Sequence, residues 1–290
     1  MSYQGTKINP TKFHRSQLKF YTILIPLAMF MMLPIIFIVF HAFKPVNELF
    51  AFPPRFLVHQ PTLDNFRDLL GFAGDSGIPF SRYVFNSVII TLSVMFLSVF
   101  MSALAAYALS KMKFKLRAAI FETNTVALMF VPIAVQIPRF LVIDESGIMD
   151  TYLAHILPLL SMPIGLFLMK QFIDQVPDEL KEAAVMDGAG EFLVFRKVML
   201  PVIKPALATV AILSFQLVWN NIETSSYYVN DESLKTISFF MSTLVSQNGN
   251  NVAGQGMSAA ASLLMFLPNL IIFIFLQSKV MNTMAHSGLK

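Results

Sequence analysis

Residues 20–40 and 84–110 contain no Asp, Glu, Lys, Arg or His. Roughly 20 consecutive, predominantly apolar residues suffice for a helix to cross the hydrocarbon core of a bilayer. Inside that core every backbone N–H and C=O must be satisfied by the protein itself, which leaves helices and closed barrels as the spanning structures. These runs are much longer than a barrel strand, so the chain must be helical where it is most apolar. Four further runs fit with interruptions: 118–138, with Glu122 near its start and Pro132 inside; 151–169, with Pro158 and Pro163; 206–227; and 257–278, with Pro268. The expectation is an all-α membrane protein with six transmembrane helices over residues 20–278, an arm at 1–19 and a tail at 279–290. Only 13% of the 290 residues are charged, against about 25% in soluble domains. Prolines inside spans are tolerated where neighbouring helices take up the freed backbone groups, so they predict kinked helices packed around a cavity.

The 21 Lys and Arg residues set an orientation. Lys7, Lys12, Arg15 and Lys19 lie in the arm. Lys111, Lys113, Lys115 and Arg117 follow the second span. Lys170, Lys181, Arg196, Lys197 and Lys204 follow the fourth, and Lys279 and Lys290 lie in the tail. Only Lys44, Arg55, Arg67, Arg82, Arg139 and Lys235 fall on the other side. The bias places both termini and the loop after the fourth span in the cytoplasm. It also accounts for the net charge of +4 without a nucleic-acid partner. No cleavable signal peptide is expected, because the first apolar run is too long for one and lacks a small-residue cleavage site. There is no cysteine, hence no disulfide, thiolate metal site or catalytic thiol. His14, His41, His59, His155 and His286 show no metal-ligand spacing. The outer loops are long after the first and fifth spans, and residues 236–245 are too few to cross, so they predict a short helix at the outer face.

The loop after the fourth span, 174–205, is a polar island. It reads Glu182-Ala183-Ala184, then Asp187-Gly188, then Leu200-Pro201. Pro177 suits the start of a helix, and Asp178 and Glu179 favour the positive end of its dipole. Leu180, Ala183 and Ala184 fall at helical spacing and make a small apolar face. Gly188 and Gly190 break that helix. Residues 191–200 predict a second short helix with Phe192, Phe195 and Met199 on one side, stopped by Pro201 and Pro205. The product is a compact knuckle at the end of a span. Glu182 has two open roles, bonding to a partner or capping its own helix.

The offsets of Glu182, Ala183, Ala184, Gly188, Val198, Leu200 and Pro201 resemble the EAA loop of ABC-importer permeases. The resemblance implies the type I ABC-importer permease fold. It also implies that the knuckle, with Asp187 included, fits a cleft on a separate ATPase. The whole chain resembles carbohydrate permeases of the maltose-transporter type, on Asn86-Ser87, Trp219-Asn220, the Ala259-Ala260-Ala261 to Pro268 to Gln277 run and the Gly-Leu-Lys tail. The partners so implied are a second, distinct permease, an ATPase dimer, an extracytoplasmic sugar-binding protein and the lipid of the cytoplasmic membrane. Residues 221–225 depart from the family pattern after Trp219-Asn220.

No Gly-x-x-x-x-Gly-Lys-Ser/Thr phosphate loop occurs, so ATP and Mg would be held by the partner, and this chain is expected to be a non-catalytic subunit binding no cofactor. Thr209, Gln216 and Glu223 recur every seven residues, nearly two helical turns, with Trp219 and Asn220 between the last two. Such a stripe faces a cavity or another helix rather than lipid. Asn86, Gln216, Trp219, Asn220 and Glu223 are therefore the candidates to line a sugar pathway, and packing against the partner permease is the competing role. The rival functions are an ion-coupled secondary transporter and an ABC importer of a non-sugar solute. The first calls for mid-span carboxylates, which the sequence lacks. Disaccharides, linear oligosaccharides and uronate-containing sugars all remain open as cargo.

Overall fold

The computed structural model describes residues 18–75, 77–248 and 251–287. Most of the arm, the 249–250 loop tip and the last three residues of the tail lie outside these. Among the described residues the chain is helix and connecting loop, without a strand. It divides into two compact units. One comprises the described residues up to Leu69 together with Val245–Leu263; the other comprises Leu70–Leu244 and the segment from Leu264 onward.

The first unit contains α1, Leu18–Ala42, whose side chains are exposed for most of its length. Its loop is closed by polar side chains, of which Lys44 and Asn65 are buried. The Lys44 ammonium donates to the Arg55 carbonyl. Asn65, at the start of α2 (Asp64–Asp75), donates to the Ala42 and Lys44 carbonyls at 3.0 and 2.8 Å. The Glu48 carboxylate accepts the His59 and Gln60 N–H groups at 3.1 and 2.8 Å. These backbone hydrogen bonds, His59 first, hold its carboxyl below the usual glutamate range, although burial opposes them.

The second unit is organised on α3, Phe80–Lys111. Its buried residues include Tyr83, Asn86, Ile90, Val94, Ser98, Ser102, Ala106 and Leu109, one stripe of helical period. From Ser98 onward most of the stripe is small, and small residues let helix backbones approach closely without a hydrophobic driving force. Ser98 and Ser214 pair hydroxyl to hydroxyl at 2.9 Å. A β-carbon on Gly165 would lie 3.0 Å from Ser102 Oγ and 3.1 Å from Val210 Cγ1.

The third apolar run is not one rod. It is α4, Arg117–Ala127, and then, through a 3-10 turn at Pro132–Val135, α5, Gln136–Glu145. The two halves meet at 109°. The run expected to cross at 118–138 is therefore broken sharply around the Pro132 expected to kink it, and its second half continues to Glu145. Proline disfavours helical backbone in the residue before it, and Val131 is extended at φ −74°, ψ 131°. The fourth run bends by 43° between α6, Tyr152–Leu160, and α7, Pro163–Asp174. Here Ser161 and Met162 leave the helix ahead of Pro163 for the same reason. Among the described residues four helical segments are long and apolar enough to cross a membrane on their own, or up to six if each bent pair counts as one span.

A strap at 228–237 is tied down by side chains from several helices. Arg82 and Asn86 donate to the Ser233 carbonyl, each at 2.9 Å, and Asn86 also reaches Lys235 O at 2.9 Å. His155 Nε2 lies 3.2 Å from Leu234 O. Asp150, in the left-handed region at φ 56°, accepts the Asn230 and Asp231 N–H groups. Those bonds, Asp231's the largest, keep its carboxyl below the usual aspartate range. After the strap come α12, Ile237–Asn248, the short helix expected over 236–245, and α13, Val252–Ser287.

Candidate functional site

The knuckle begins after α7. Its first helix, α8, is Asp178–Met186, with Pro177 at the N-cap rather than in the first turn. Gly188 stands at φ +84°, a conformation costly for any residue with a β-carbon. There it forms a Schellman cap: Ala189 N–H reaches Ala184 O at 3.0 Å and Gly188 N–H reaches Val185 O at 2.9 Å. The paired alanines point opposite ways. Ala184 and Ala189 pack on the core of the second unit, whereas Glu182, Ala183 and Asp187 are exposed. Leu180, Val185 and Met186 are exposed too, Met186 at 83%. The Glu182 carboxylate has no partner among the described residues, so it does not cap its own helix.

The second half is α9, Glu191–Val194, followed by a π-helical turn at Phe195–Met199 and a short turn at Leu200–Val202. Pro201 cannot donate to the carbonyl four residues back, and its ring clashes with it. The wider turn just before it absorbs that mismatch. Phe195 and Met199 are buried, but Phe192 is 64% exposed, so the three do not share one side as the helical spacing predicted. Leu200 packs against the core and Pro201 is exposed.

The knuckle is keyed to the end of α3. Tyr107 OH donates to Glu191 Oε2 at 2.5 Å. Lys111 Nζ donates to Val176 O at 2.6 Å and to Asp178 Oδ1 at 2.5 Å. Lys181 Nζ donates to Lys111 O and pairs with Glu191, both at 2.9 Å. The Tyr107 hydroxyl, then Lys181, hold the Glu191 carboxyl below the glutamate range, and Lys111 does the same for Asp178. None of these anchors stood out in the sequence. Tyr107 lies in an uncharged run, and Lys111 reads as one more cytoplasmic cation. The one signal in the sequence is that Lys181 and Glu191 stand on either side of the helix-breaking Gly188.

The second assembly is a cavity of about 780 Å³ where the broken third run, the bend of the fourth and the fifth run meet. The fifth run is α10, Lys204–Trp219, a break at 220–222, and α11, Glu223–Tyr227. The helix thus ends before Glu223, and the seven-residue stripe does not continue as one helical face. Gln216 and Glu223 nevertheless both line the cavity, with Phe130, Arg139, Ser161 and Asn221 among the other walls. Arg139 pairs with Glu223 at 3.0 Å.

The remaining candidates are not among the lining residues. Asn86 is fully buried, with its amide on the strap and its Oδ1 accepting Tyr152 OH at 2.7 Å. Trp219 is buried, stacks on Phe215, and donates its indole N–H to Met265 O at 3.2 Å. Asn220 is exposed, donates to Gln216 O at 2.8 Å, and accepts from Asn269 at 3.2 Å. For Asn86 and Trp219 the side-chain polar groups are already used within the chain, and Asn220 is partnered at both its amide nitrogen and its oxygen. Arg139 and Asn221 were missed. Arg139 counted only as an outer-side charge, and Asn221 lies where the sequence leaves the family pattern. No group of three or more His, Cys, Asp or Glu suited to a metal occurs among the described residues.

Comparison with known proteins places this geometry. The model of a family described as "Binding-protein-dependent transport system inner membrane component" matches residues 98–278. The arabinooligosaccharides transport system permease protein AraQ of Halalkalibacterium halodurans is 31% identical over 263 residues, covering 89% of this chain and 90% of that protein. The inner membrane ABC transporter permease protein YcjP of Escherichia coli is 28% identical over 277 residues, covering 95% and 97%. The fold is shared with a chain of a bacterial ABC transporter involved in the import of the acidic polysaccharide alginate, seen in its crystal structure. The TM-score is 0.78 at 21% identity, covering 93% of this chain and 99% of that one.

Proposed function

The chain belongs to the family of binding-protein-dependent transport system inner membrane components, and on that premise we propose that it is one permease half of an ATP-driven sugar importer of the cytoplasmic membrane. A second, distinct permease completes the pathway. A sugar-binding protein delivers cargo from outside, and an ATPase dimer grips the knuckle from within, holding ATP and Mg itself. The relatives named for sugar transport support the cargo class.

The observation that carries the reading is the knuckle. Its exposed side offers Leu180, Ala183 and Met186, a shallow apolar surface next to the unpaired Glu182. Its inner side is locked to α3 and the second unit's core by Tyr107, Lys111, Lys181 and Ala184. Movement of a bound ATPase is thereby passed to the spans as rigid-body rotation, the usual form of such switches. With Lys- and Arg-rich loops inside, the knuckle faces the compartment that holds ATP.

The test is co-purification followed by transport. The intact chain is expected to bring down an ATPase and a different permease, and vesicles holding the complex to take up sugar only with ATP. Gly188→Asp and Glu182→Lys are expected to express normally but to lose ATP-dependent uptake. Normal uptake by both variants would contradict the assignment.

A further inference from the structure

The cavity wall carries chemistry that the family assignment leaves open. Of its lining residues only Arg139 and Glu223 are charged, so the wall is electrically balanced. The pair is partly exposed, 29% and 24% by side chain, and Tyr228 OH also donates to Glu223 Oε1 at 3.1 Å. That leaves Glu223 Oε2 without a partner among the described residues. Beside it, Asn221 Oδ1 is occupied by the Thr224 N–H and hydroxyl at 3.0 and 2.8 Å, which turns both amide hydrogens of Asn221 loose. The Gln216 side chain and the Ser161 hydroxyl likewise have no partner among the described residues. Phe130, 59% exposed, adds an aromatic ring to the same cavity.

Partly buried ionisable groups are costly to desolvate unless they are paired and used. A pair held with its free edges in a cavity is more than a staple between α5 and α11. An acceptor oxygen, two free amides, a hydroxyl and a ring answer the vicinal hydroxyls and the apolar C–H face of a sugar. A volume of about 780 Å³ falls within the roughly 300–1,000 Å³ of small-molecule sites. The ion pair decides the class, because Glu223 cancels the cation that a uronate would need. We propose that this cavity is a sugar-contact site for uncharged oligosaccharides, with Glu223 as hydroxyl acceptor and as the residue that excludes acidic sugars. This rests on the importer reading and narrows its cargo.

The experiment is equilibrium dialysis of the purified permease–ATPase complex in lipid nanodiscs, with radiolabelled maltotriose and trigalacturonate, two trimers that differ in charge. The wild type is expected to bind maltotriose and exclude trigalacturonate. Glu223→Gln unbalances Arg139, and is expected to weaken maltotriose by about tenfold, the worth of a hydrogen bond to a charged group, and to gain trigalacturonate. The double variant Arg139→Gln, Glu223→Gln restores neutrality and is expected to lose trigalacturonate again, which a merely misfolded single variant would not predict. Unchanged maltotriose binding in Glu223→Gln, binding of trigalacturonate by the wild type, or binding of neither sugar by the wild type would overturn the proposal. Co-purified ATPase and its nucleotide hydrolysis are read in the same samples. Their loss from the wild type sinks the importer reading instead.

Discussion

At the scale of single residues, the knuckle depends on groups that do unlike jobs. Gly188 is required by geometry, since its φ of +84° serves a cap that turns the chain back toward α3. Glu191 is required by charge. Its carboxyl titrates below the glutamate range because Tyr107 and Lys181 hold the ionised form. A carboxylate depressed in the folded state adds stability that is full above its unfolded pKa and is lost as pH falls through the lowered folded value. The side chain is 48% exposed, so the effect is screened and local. Amide protection over residues 178–195 is therefore expected to drop on acidification below the glutamate range. It should drop less in Glu191→Gln, where of these two anchoring carboxylates only Asp178, held by Lys111, is left to protonate, and begin to fall at higher pH in Tyr107→Phe. Identical profiles for the wild type and Glu191→Gln would remove this account of the anchor.

At the scale of helices, close approach and prolines set the geometry. α3, α7 and α10 meet through Ser98, Ser102, Gly165 and Ser214, where side chains are too small to hold the helices apart. Gly165→Val would drive methyl groups into Ser102 and Val210. It is expected to cost about 1–3 kcal/mol by overpacking, seen as a lower thermal midpoint of the purified complex. Gly165→Ala should cost less, because the Ser102 hydroxyl can turn aside, and Ser102→Ala should relieve it further. Prolines shape the cavity in the same way. Pro132 and Pro163 each force the residue before them out of the helix, and the resulting 109° and 43° bends open the space that Arg139 and Glu223 share. The fifth run ends its helix at Trp219, which sends Asn220 outward and Glu223 into the wall.

At the scale of the whole molecule, the orientation is open to direct measurement because the chain has no cysteine. Val185→Cys on the knuckle and Asn230→Cys on the strap are both exposed single sites. In intact cells a membrane-impermeant thiol reagent is expected to label Asn230→Cys and to reach Val185→Cys only after permeabilisation. The reverse pattern would place the knuckle outside, beyond the reach of any ATPase.

The helical class, the apolar runs, the basic bias and the knuckle with its breaking glycines can all be read along the chain. Each of these is a local property: hydropathy over about 20 residues, or backbone freedom at one position. Which polar groups stay free depends on packing between distant segments. Asn86 and Trp219 look like ligand-binding residues in sequence, yet the fold spends their hydrogen bonds on the strap and on Met265. Arg139 and Glu223 lie far apart in the chain and meet only because two prolines bend the helices between them. A buried donor or acceptor is satisfied by whatever the packed chain brings within about 3 Å, and no local pattern carries that information.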